Sequence, residues 1–242
     1  APELLPAITT IAMSAGAKRL LSKKVLVHKL NAIQNLGEID LLCTDKTGTI
    51  TEGEIKVNNI LNAGGQPDEF VRELAYWNAA HQSGYSNPID EALKKMPVKP
   101  EMQAVKKGEL PYDFQRKRLS ISIQSENRHY LITKGAFKET LGCCTRVRLG
   151  GEKFPALAAE KQNLEARFAK FGNDGLRVIG VAYKEIDKTT LSVSDESEMI
   201  FAGFVLLQDP VKADIAEVIT ELKQLSVGIK IITGDNRNIA RS

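Results

Sequence analysis

The sequence predicts an α/β protein in which one doubly wound core is interrupted by an inserted α+β domain with an antiparallel sheet. Continuous apolar runs, which are typical of buried parallel strands, lie before Asp45 and again over residues 229–232. Between them, alternating segments such as residues 119–124 are typical of half-exposed antiparallel strands. Because the first pattern lies on both sides of the second, we expect one discontinuous domain to flank a continuous one.

The first part of the chain is predicted to contain two helices and two strands. Residues 4–22 favour a helix that is apolar at first and basic at its end, which is also the composition of an amphipathic surface helix. A short strand over residues 25–27 should be followed by a helix over 29–37 that Gly37 ends. Residues 39–44 should form the next strand, and its apolar run predicts that it is buried.

The predicted insert runs from about residue 53 to about residue 204. Its strands are expected near residues 55–61, 118–125, 129–134, 144–149, 177–184 and 199–206. Its helices are expected near residues 67–80, 88–96, 135–142 and 155–171. After the insert, a strand at residues 205–207, a helix over 211–225 and a strand over 229–232 return to the pattern of the first domain.

The amino-acid composition restricts which kinds of protein and which kinds of binding partner are expected. Hydrophobic residues make up 43% of the 242 residues, which is enough for a packed core. The 33 basic and 30 acidic residues nearly balance, so charge predicts no nucleic-acid partner. The cysteines and histidines show no metal-type spacing, and no stretch reaches the roughly 18 continuous apolar residues of a membrane span.

Residues 45–51, Asp-Lys-Thr-Gly-Thr-Ile-Thr, carry the strongest chemical signal. Asp45 should lie at the carboxyl end of a strand, where ligands collect in open α/β sheets. Gly48 lets the backbone turn close to a phosphate, and Lys46 and the threonine hydroxyls add donors and charge. The first four residues alone are equally typical of a solvated turn.

The whole string resembles the phosphorylation signature of the P-type ATPases, ion pumps that pass through an aspartyl-phosphate. Further motifs of that family occur in the same order along essentially the whole chain, namely Pro2-Glu3-Leu4-Leu5-Pro6, Lys134-Gly135-Ala136, Gly175-Leu176-Arg177, Asp209-Pro210 and Thr233-Gly234-Asp235. Each motif is short and individually weak. Their order and spacing around residues 45–51 make the set specific.

This resemblance implies a discontinuous, haloacid-dehalogenase-like (Rossmann-type) phosphorylation domain with an inserted nucleotide-binding domain. It divides the chain into the end of a fourth membrane helix with its stalk (1–24), the phosphorylation domain (25–52 and 205–242) and the nucleotide-binding domain (53–204). We expect the chain to be a piece of a longer pump of the cell membrane, lying on the cytoplasmic side. The membrane and actuator domains of that pump would be its partners.

The implied reaction is an ATP-driven cycle with Mg²⁺ as cofactor. By resemblance, Asp45 attacks the γ-phosphoryl group, and the Asp45 carboxylate and the Thr47 carbonyl bind Mg²⁺. The remaining implied phosphate-site residues are Lys46, Thr233, Gly234 and Asp235, with Asp209 tuning the hinge and Glu3 contacting the transported cation. Because the family has further metal and phosphate ligands in later segments, we expect these 242 residues alone to form no detectable phosphoenzyme.

The resemblance also implies an ATP pocket in the insert, made by Asp90, Phe114, Arg116, Lys134, Gly135 and Arg177. Phe114 would stack on adenine, Lys134 would lie at the base of the pocket, and Gly135 would leave room for a flat ligand. Arg116 and Arg177 would approach the phosphates. Each residue also has an ordinary explanation: Asp90 suits a helix N-terminus, Phe114 a hydrophobic core, and Lys134 a solvated strand end.

Among the pumps, residues 31–37, residues 42–45 and the glutamate in Pro2–Pro6 are most similar to magnesium-importing P-type ATPases. Calcium and proton pumps are the alternatives within the family. Outside the family, one alternative is a soluble phosphatase of the same fold, although such enzymes usually carry an acid two residues after the nucleophile, where this chain has Thr47. The other is a nucleotide-binding module without catalysis.

Overall fold

The computed structural model describes residues 4–84, 87–97, 104–125, 128–151, 153–188 and 190–232. Contacts divide these residues into two compact units. The first unit contains residues 4–50 and 212–232, and the second contains residues 51–211. One unit is therefore discontinuous and the other is inserted into it, and the chain passes between them at positions 50/51 and 211/212.

The first unit has three helices and a two-stranded parallel sheet in its described residues. The elements are α1 (Leu4–Ser22), α2 (Asn31–Gly37), β1 (Leu41–Asp45), α7 (Ile215–Gln224) and β9 (Gly228–Ile232). β1 pairs with β9 from Leu41 opposite Gly228 to Asp45 opposite Ile232. None of the helices in the described part of the chain is long and apolar enough to cross a membrane.

Two predictions for this unit were wrong. Residues 25–27 form no strand but an irregular link between α1 and α2. β1 is parallel as predicted, yet it is not buried, because Leu41 and Leu42 are 42% and 36% exposed. A sheet of two strands covers too little of its own faces to bury apolar side chains, whatever the strand's sequence pattern.

The second unit contains the other elements, in the order β2 (Lys56–Asn62), α3 (Glu69–His81), α4 (Pro88–Lys94), β3 (Val105–Asp113), β4 (Arg118–Ser125), β5 (Arg128–Ala136), α5 (Phe137–Leu141), β6 (Cys144–Val147), α6 (Leu157–Asn173), β7 (Arg177–Glu185) and β8 (Met199–Gln208). Six strands form a sheet in the order β2-β8-β7-β5-β4-β3, and β6 pairs with β8 outside this path. The pairs are antiparallel except β6 with β8.

Helices cover both faces of this sheet. On one face α3 and α4 pack over a core that includes Leu74, Ile121, Ile132 and Val181. On the other face α5 and α6 pack over a second core that includes Leu131 and Phe201. Successive residues of a strand point to opposite faces, so alternate residues of β4, β5 and β7 belong to alternate cores. This alternation decides which face each polar side chain reaches.

The elements of the insert agree with prediction, with two differences. β3 was not predicted, because Gly108 and Pro111 interrupt its apolar pattern and favour a loop. Residues 205–207 were assigned to the discontinuous domain, but they continue β8, a central strand of the large sheet. A continuous apolar run marks a strand buried on both faces and does not reveal which sheet contains it.

Candidate functional site

Asp45 is the last residue of β1, and its backbone leads directly into a tight turn. The Lys46 backbone N–H donates to Asp45 Oδ1 at 2.8 Å. Thr47 is extended (φ −73°, ψ 122°), and Gly48 has a φ of +76°, a conformation that glycine adopts without strain. The Asp45 side chain is therefore presented at the carboxyl end of a strand, as predicted.

Lys212 reaches the same turn and was not predicted from the sequence. Its Nζ donates to the Gly48 carbonyl at 3.1 Å, and its backbone N–H donates to the Ile50 carbonyl at 3.0 Å. These contacts bring a second lysine, besides Lys46, to the strand end that carries Asp45. Its position three residues after Asp209 was the available signal.

Several predicted residues lie outside the described part of the chain, namely Glu3, Thr233, Gly234 and Asp235. Oxygen atoms of Asp45 and Thr47 are the kind of ligand that Mg²⁺ prefers, and Mg²⁺ usually completes its coordination with water and substrate phosphate. In the described residues, no group of three or more histidine, cysteine, aspartate or glutamate side chains could hold a metal by itself. Asp45 and the Thr47 carbonyl are therefore the residues of this strand end that would hold Mg²⁺.

Asp209 joins the two points where the chain enters and leaves the inserted unit. Its Oδ2 accepts from Thr51 Oγ1 at 2.6 Å, and its Oδ1 accepts from the Gly53 backbone N–H at 3.0 Å. The Glu52 backbone N–H donates to the Pro210 carbonyl at 2.8 Å. The two connecting segments are thus clasped together at one end of the insert.

In the insert, Lys134 and Asp90 form a buried ion pair. Lys134 is only 5% exposed and Asp90 is fully buried. Lys134 Nζ donates to Asp90 Oδ1, while Asn87 Nδ2 donates to Asp90 Oδ2 at 2.6 Å. Burial lowers the pKa of Lys134, and the Asp90 carboxylate offsets part of that lowering. A solvated strand-end lysine, the ordinary alternative, is excluded.

Asp90 is held in place by the start of α4. Asn87 is the N-cap, and its Oδ1 accepts from the Asp90 backbone N–H at 3.0 Å. Pro88 at the first helical position favours this start, because proline lacks the N–H that would be unsatisfied there. The helix N-terminus therefore stabilises Asp90 and also directs its carboxylate to Lys134.

Phe114 lies in the turn between β3 and β4, and its ring is 85% exposed. Asp113 Oδ1 accepts from the backbone N–H groups of Gln115 and Arg116 at 3.0 and 2.7 Å. The Ala136 backbone N–H donates to the Lys117 carbonyl at 2.9 Å, which ties the turn to the end of β5. A core position for Phe114 is therefore excluded, and its ring is presented beside the segment that contains Lys134.

Arg116 has a different partner from the one predicted. Its Nη1 donates to both carboxylate oxygens of Glu196 at 2.7 and 2.6 Å, and its Nη2 donates to the Pro111 carbonyl at 2.8 Å. The pair with Glu196 engages the Nη1 donors of Arg116. No sequence pattern indicated Glu196, which lies 80 residues away in the chain.

Gly135 has no free space in the direction in which a side chain would point. A Cβ atom there would lie 2.4 Å from Arg118 Cβ and 2.5 Å from the Lys117 carbonyl oxygen. The space beside Gly135 is thus filled by the neighbouring strand. Glycine is required here because β4 and β5 approach closely, and this approach places the Phe114 turn against β5.

Of the predicted residues of the insert, Asp90 and Lys134 are in contact, and the turn that carries Phe114 lies at the same end of the sheet, where it is hydrogen-bonded to Ala136. Arg177 begins β7 at the same end, two residues before Ile179, which pairs with Ala136. Alternation along β7 places Arg177 on the face of Ile179 and Val181, and Val181 is opposite Lys134. A cation, an exposed aromatic ring and a buried ion pair therefore occupy one end of this unit.

The sequence profile described as "P-type ATPase, cytoplasmic domain N" matches residues 32–214, which is most of the chain. The chain belongs to the P-type ATPase family. This assignment agrees with the resemblance found in the sequence. The antiparallel sheet with helices on both faces lies within the matched residues.

Individual relatives are similar along the whole chain. The "Magnesium-transporting ATPase, P-type 1" of Salmonella typhimurium is 35% identical over 99% of the chain, and that of Escherichia coli is 34% identical over 99%. The "Calcium-transporting ATPase 1" of Bacillus cereus is 27% identical over 99%. The chain spans 27%, 28% and 30% of these three relatives.

Proposed function

We propose that this chain is the ATP-binding and phosphorylation region of an ATP-driven, cation-transporting P-type ATPase. The observation that carries the proposal is the buried Lys134–Asp90 pair at the same end of the sheet as the exposed ring of Phe114. Family membership makes ATP the expected ligand of this arrangement. Residues 51–211 would form the nucleotide-binding domain, and the discontinuous unit would belong to a haloacid-dehalogenase-like phosphorylation domain.

The insert supplies the groups that an adenine nucleotide needs. An exposed ring can stack on adenine, and such stacking contributes about 1–3 kcal/mol per base in nucleic-acid sites. The polar edge of the base would approach Lys134, whose position is fixed by the buried carboxylate of Asp90. Arg177, at the same end of the sheet, would contact the phosphates.

Asp45 is the proposed phosphoryl acceptor. An oxygen of its carboxylate would form a bond to the γ-phosphorus while the bond from that phosphorus to the bridging oxygen breaks, so ADP leaves. Both reacting groups are anionic, and Lys46 and Lys212 lie at the turn that follows Asp45. Mg²⁺, held by Asp45 and the Thr47 carbonyl, would neutralise charge on the phosphate oxygens when bound.

A calorimetric titration tests the nucleotide site. This chain should bind ATP with a Kd in the upper micromolar to millimolar range, which corresponds to a binding free energy of about −4 to −6 kcal/mol. A titration to millimolar ATP without saturable binding would contradict the proposed site.

Labelling tests the acceptor in the full-length protein that we propose contains this chain. With γ-labelled ATP and Mg²⁺, that protein should form an acid-stable phosphoenzyme, and its Asp45→Asn variant should form none. Glu52→Gln, a carboxylate substitution seven residues away, is the matched control and should keep the label. Label on the Asp45→Asn variant would show that another residue accepts the phosphoryl group.

Magnesium is the proposed cargo, because identity to the magnesium-transporting relatives is 34–35% against 27% to the calcium-transporting one. The full-length pump would lie in the cell membrane with this region on the cytoplasmic side, joined to its membrane and actuator domains. Its expression should restore growth of a magnesium-transport-deficient bacterium at low Mg²⁺. Rescue of a calcium-sensitive strain without rescue of magnesium-limited growth would favour the calcium alternative.

A further inference from the structure

Glu196 is the centre of a buried cluster that the sequence did not predict. Its carboxylate accepts from Arg116 Nη1 at 2.7 and 2.6 Å, from Arg118 Nε at 2.8 Å and from Ser120 Oγ at 2.6 Å. The Glu196 side chain is fully buried, while those of Arg116 and Arg118 are partly buried. Guanidinium–carboxylate pairs of this kind fix geometry as well as charge, because the donor fork is planar and rigid.

The two arginines lie on either side of Lys117, in the turn that carries Phe114. The backbone of this turn is strained at Lys117, whose φ is +49°. The Phe114 ring is 85% exposed and makes an edge-on contact with the Tyr112 ring, with the ring centroids 5.4 Å apart. Because Tyr112 is only two residues before Phe114, the position of the ring depends on the backbone of the turn, which Glu196 holds through both arginines.

The cluster supports the turn from the opposite face of the sheet. Ser120 is opposite Thr133 in the β4–β5 pair, whereas Lys134 is opposite Leu119. Alternation therefore places Ser120 and Glu196 on one face, and Lys134 with Asp90 on the other. Glu196 therefore contacts the turn from the face of the sheet opposite to the Lys134–Asp90 pair.

We propose that Glu196 is a positioning residue for the nucleotide, which acts by holding Arg116 and Arg118 so that the Phe114 ring is fixed for stacking. This proposal rests on the proposed function, in which adenine binds beside Lys134. The proposal predicts that Glu196 strengthens ATP binding, although both Glu196 and ATP are anionic. If Glu196 instead competed with phosphate for Arg116, its removal would strengthen ATP binding. The two roles therefore predict opposite changes in ATP affinity.

The order of the turn can be measured without any ligand. Backbone ¹⁵N relaxation should give order parameters of about 0.85 for residues 114–117, falling below about 0.6 in Glu196→Gln. The matched control is Glu198→Gln, which makes the same charge change at an exposed residue two positions away. Unchanged order parameters in Glu196→Gln would overturn the proposal whether or not the chain binds ATP.

Binding provides the second measurement. Glu196→Gln should weaken both adenosine and ATP about 5- to 10-fold, and Glu198→Gln should change neither by more than about twofold. In the Glu196→Gln background, Phe114→Ala should have less than about half of its effect in the parent chain, because the ring is already released. Tighter ATP binding by Glu196→Gln, or an undiminished effect of Phe114→Ala, would overturn the proposal.

The measurements separate this proposal from the proposed function. If the parent chain binds neither ligand, the nucleotide site is refuted, and the relaxation data still decide whether Glu196 orders the turn. If Glu196→Gln does not fold, Arg116→Lys keeps the charge and removes the fork. Arg116→Lys should weaken adenosine as much as ATP, whereas weakening of ATP alone would assign Arg116 to the phosphates and overturn the proposal.

Discussion

Replacement of Asp90 by asparagine should destabilise the inserted unit strongly, although it changes one atom. Both carboxylate oxygens of Asp90 accept hydrogen bonds, Oδ1 from the buried Lys134 Nζ and Oδ2 from Nδ2 of the partly buried Asn87. An amide has only one oxygen, so its NH₂ group must face one of these donors. Removing one partner of a buried ion pair typically costs about 3–5 kcal/mol, because the other charge stays buried without compensation.

The matched control is Glu91→Gln on the next residue of α4. The Glu91–Lys94 pair is at 3.1 Å with side chains 51% and 37% exposed, and such surface pairs contribute about 0.2–1 kcal/mol. In urea unfolding, the free energy of unfolding of Asp90→Asn should therefore be lower than that of Glu91→Gln by at least about 2 kcal/mol. In thermal unfolding, Asp90→Asn should lower Tm by about 6–20 °C for a unit of this size. A loss equal to that of Glu91→Gln would refute the buried pair.

The cost of Asp90→Asn should also depend on pH. The pKa of Lys134 is lowered from its ordinary value of 10.5 by burial, and Asp90 offsets part of the lowering. Removing Asp90 lowers this folded-state pKa further, so the unfolded chain binds more protons than the folded chain over a wider range below 10.5. Stability of the variant should thus rise more steeply with pH than that of the parent. A difference that stays constant from pH 7 to pH 9.5 would contradict this account.

Three further substitutions test the site and the sheet. Phe114→Ala should weaken ATP by about 1–3 kcal/mol in calorimetry without changing Tm, because the ring is exposed, whereas unchanged affinity would contradict stacking. Gly135→Ala should cost about 1–3 kcal/mol in urea unfolding, since its Cβ would lie 2.4 Å from Arg118 Cβ. Its control, Gly172→Ala in α6, has nothing within 4 Å and should stabilise by about 0.4–1 kcal/mol. Asp209→Ala should lower the free energy of unfolding by about 1–3 kcal/mol, because the hydrogen bonds from Thr51 and Gly53 are lost. Proteolysis at residues 51–53 should increase in the same variant.

The sequence determined the features that depend on neighbouring residues or on periodicity. The alternating pattern predicted strands β4, β5 and β7 of the insert, and Asn87-Pro88 predicted the start of α4. The motif at Asp45 predicted a strand end followed by a turn, and the structure contains both. These features are local, because hydrogen bonding within a helix start or a turn involves residues only a few positions apart.

Only the tertiary structure decided which distant residues meet. Arg116 pairs with Glu196 across 80 residues of sequence, and Lys117 and Arg118 lie where a side chain at Gly135 would point. Residues 205–207 belong to the large sheet because β8 pairs with β2 and β7, a choice that their apolar run does not encode. Charge pairing and strand order depend on separations of tens of residues, which no local pattern specifies. The family of this chain can therefore be recognised from short motifs, whereas the support of the turn that carries Phe114 is set by the fold.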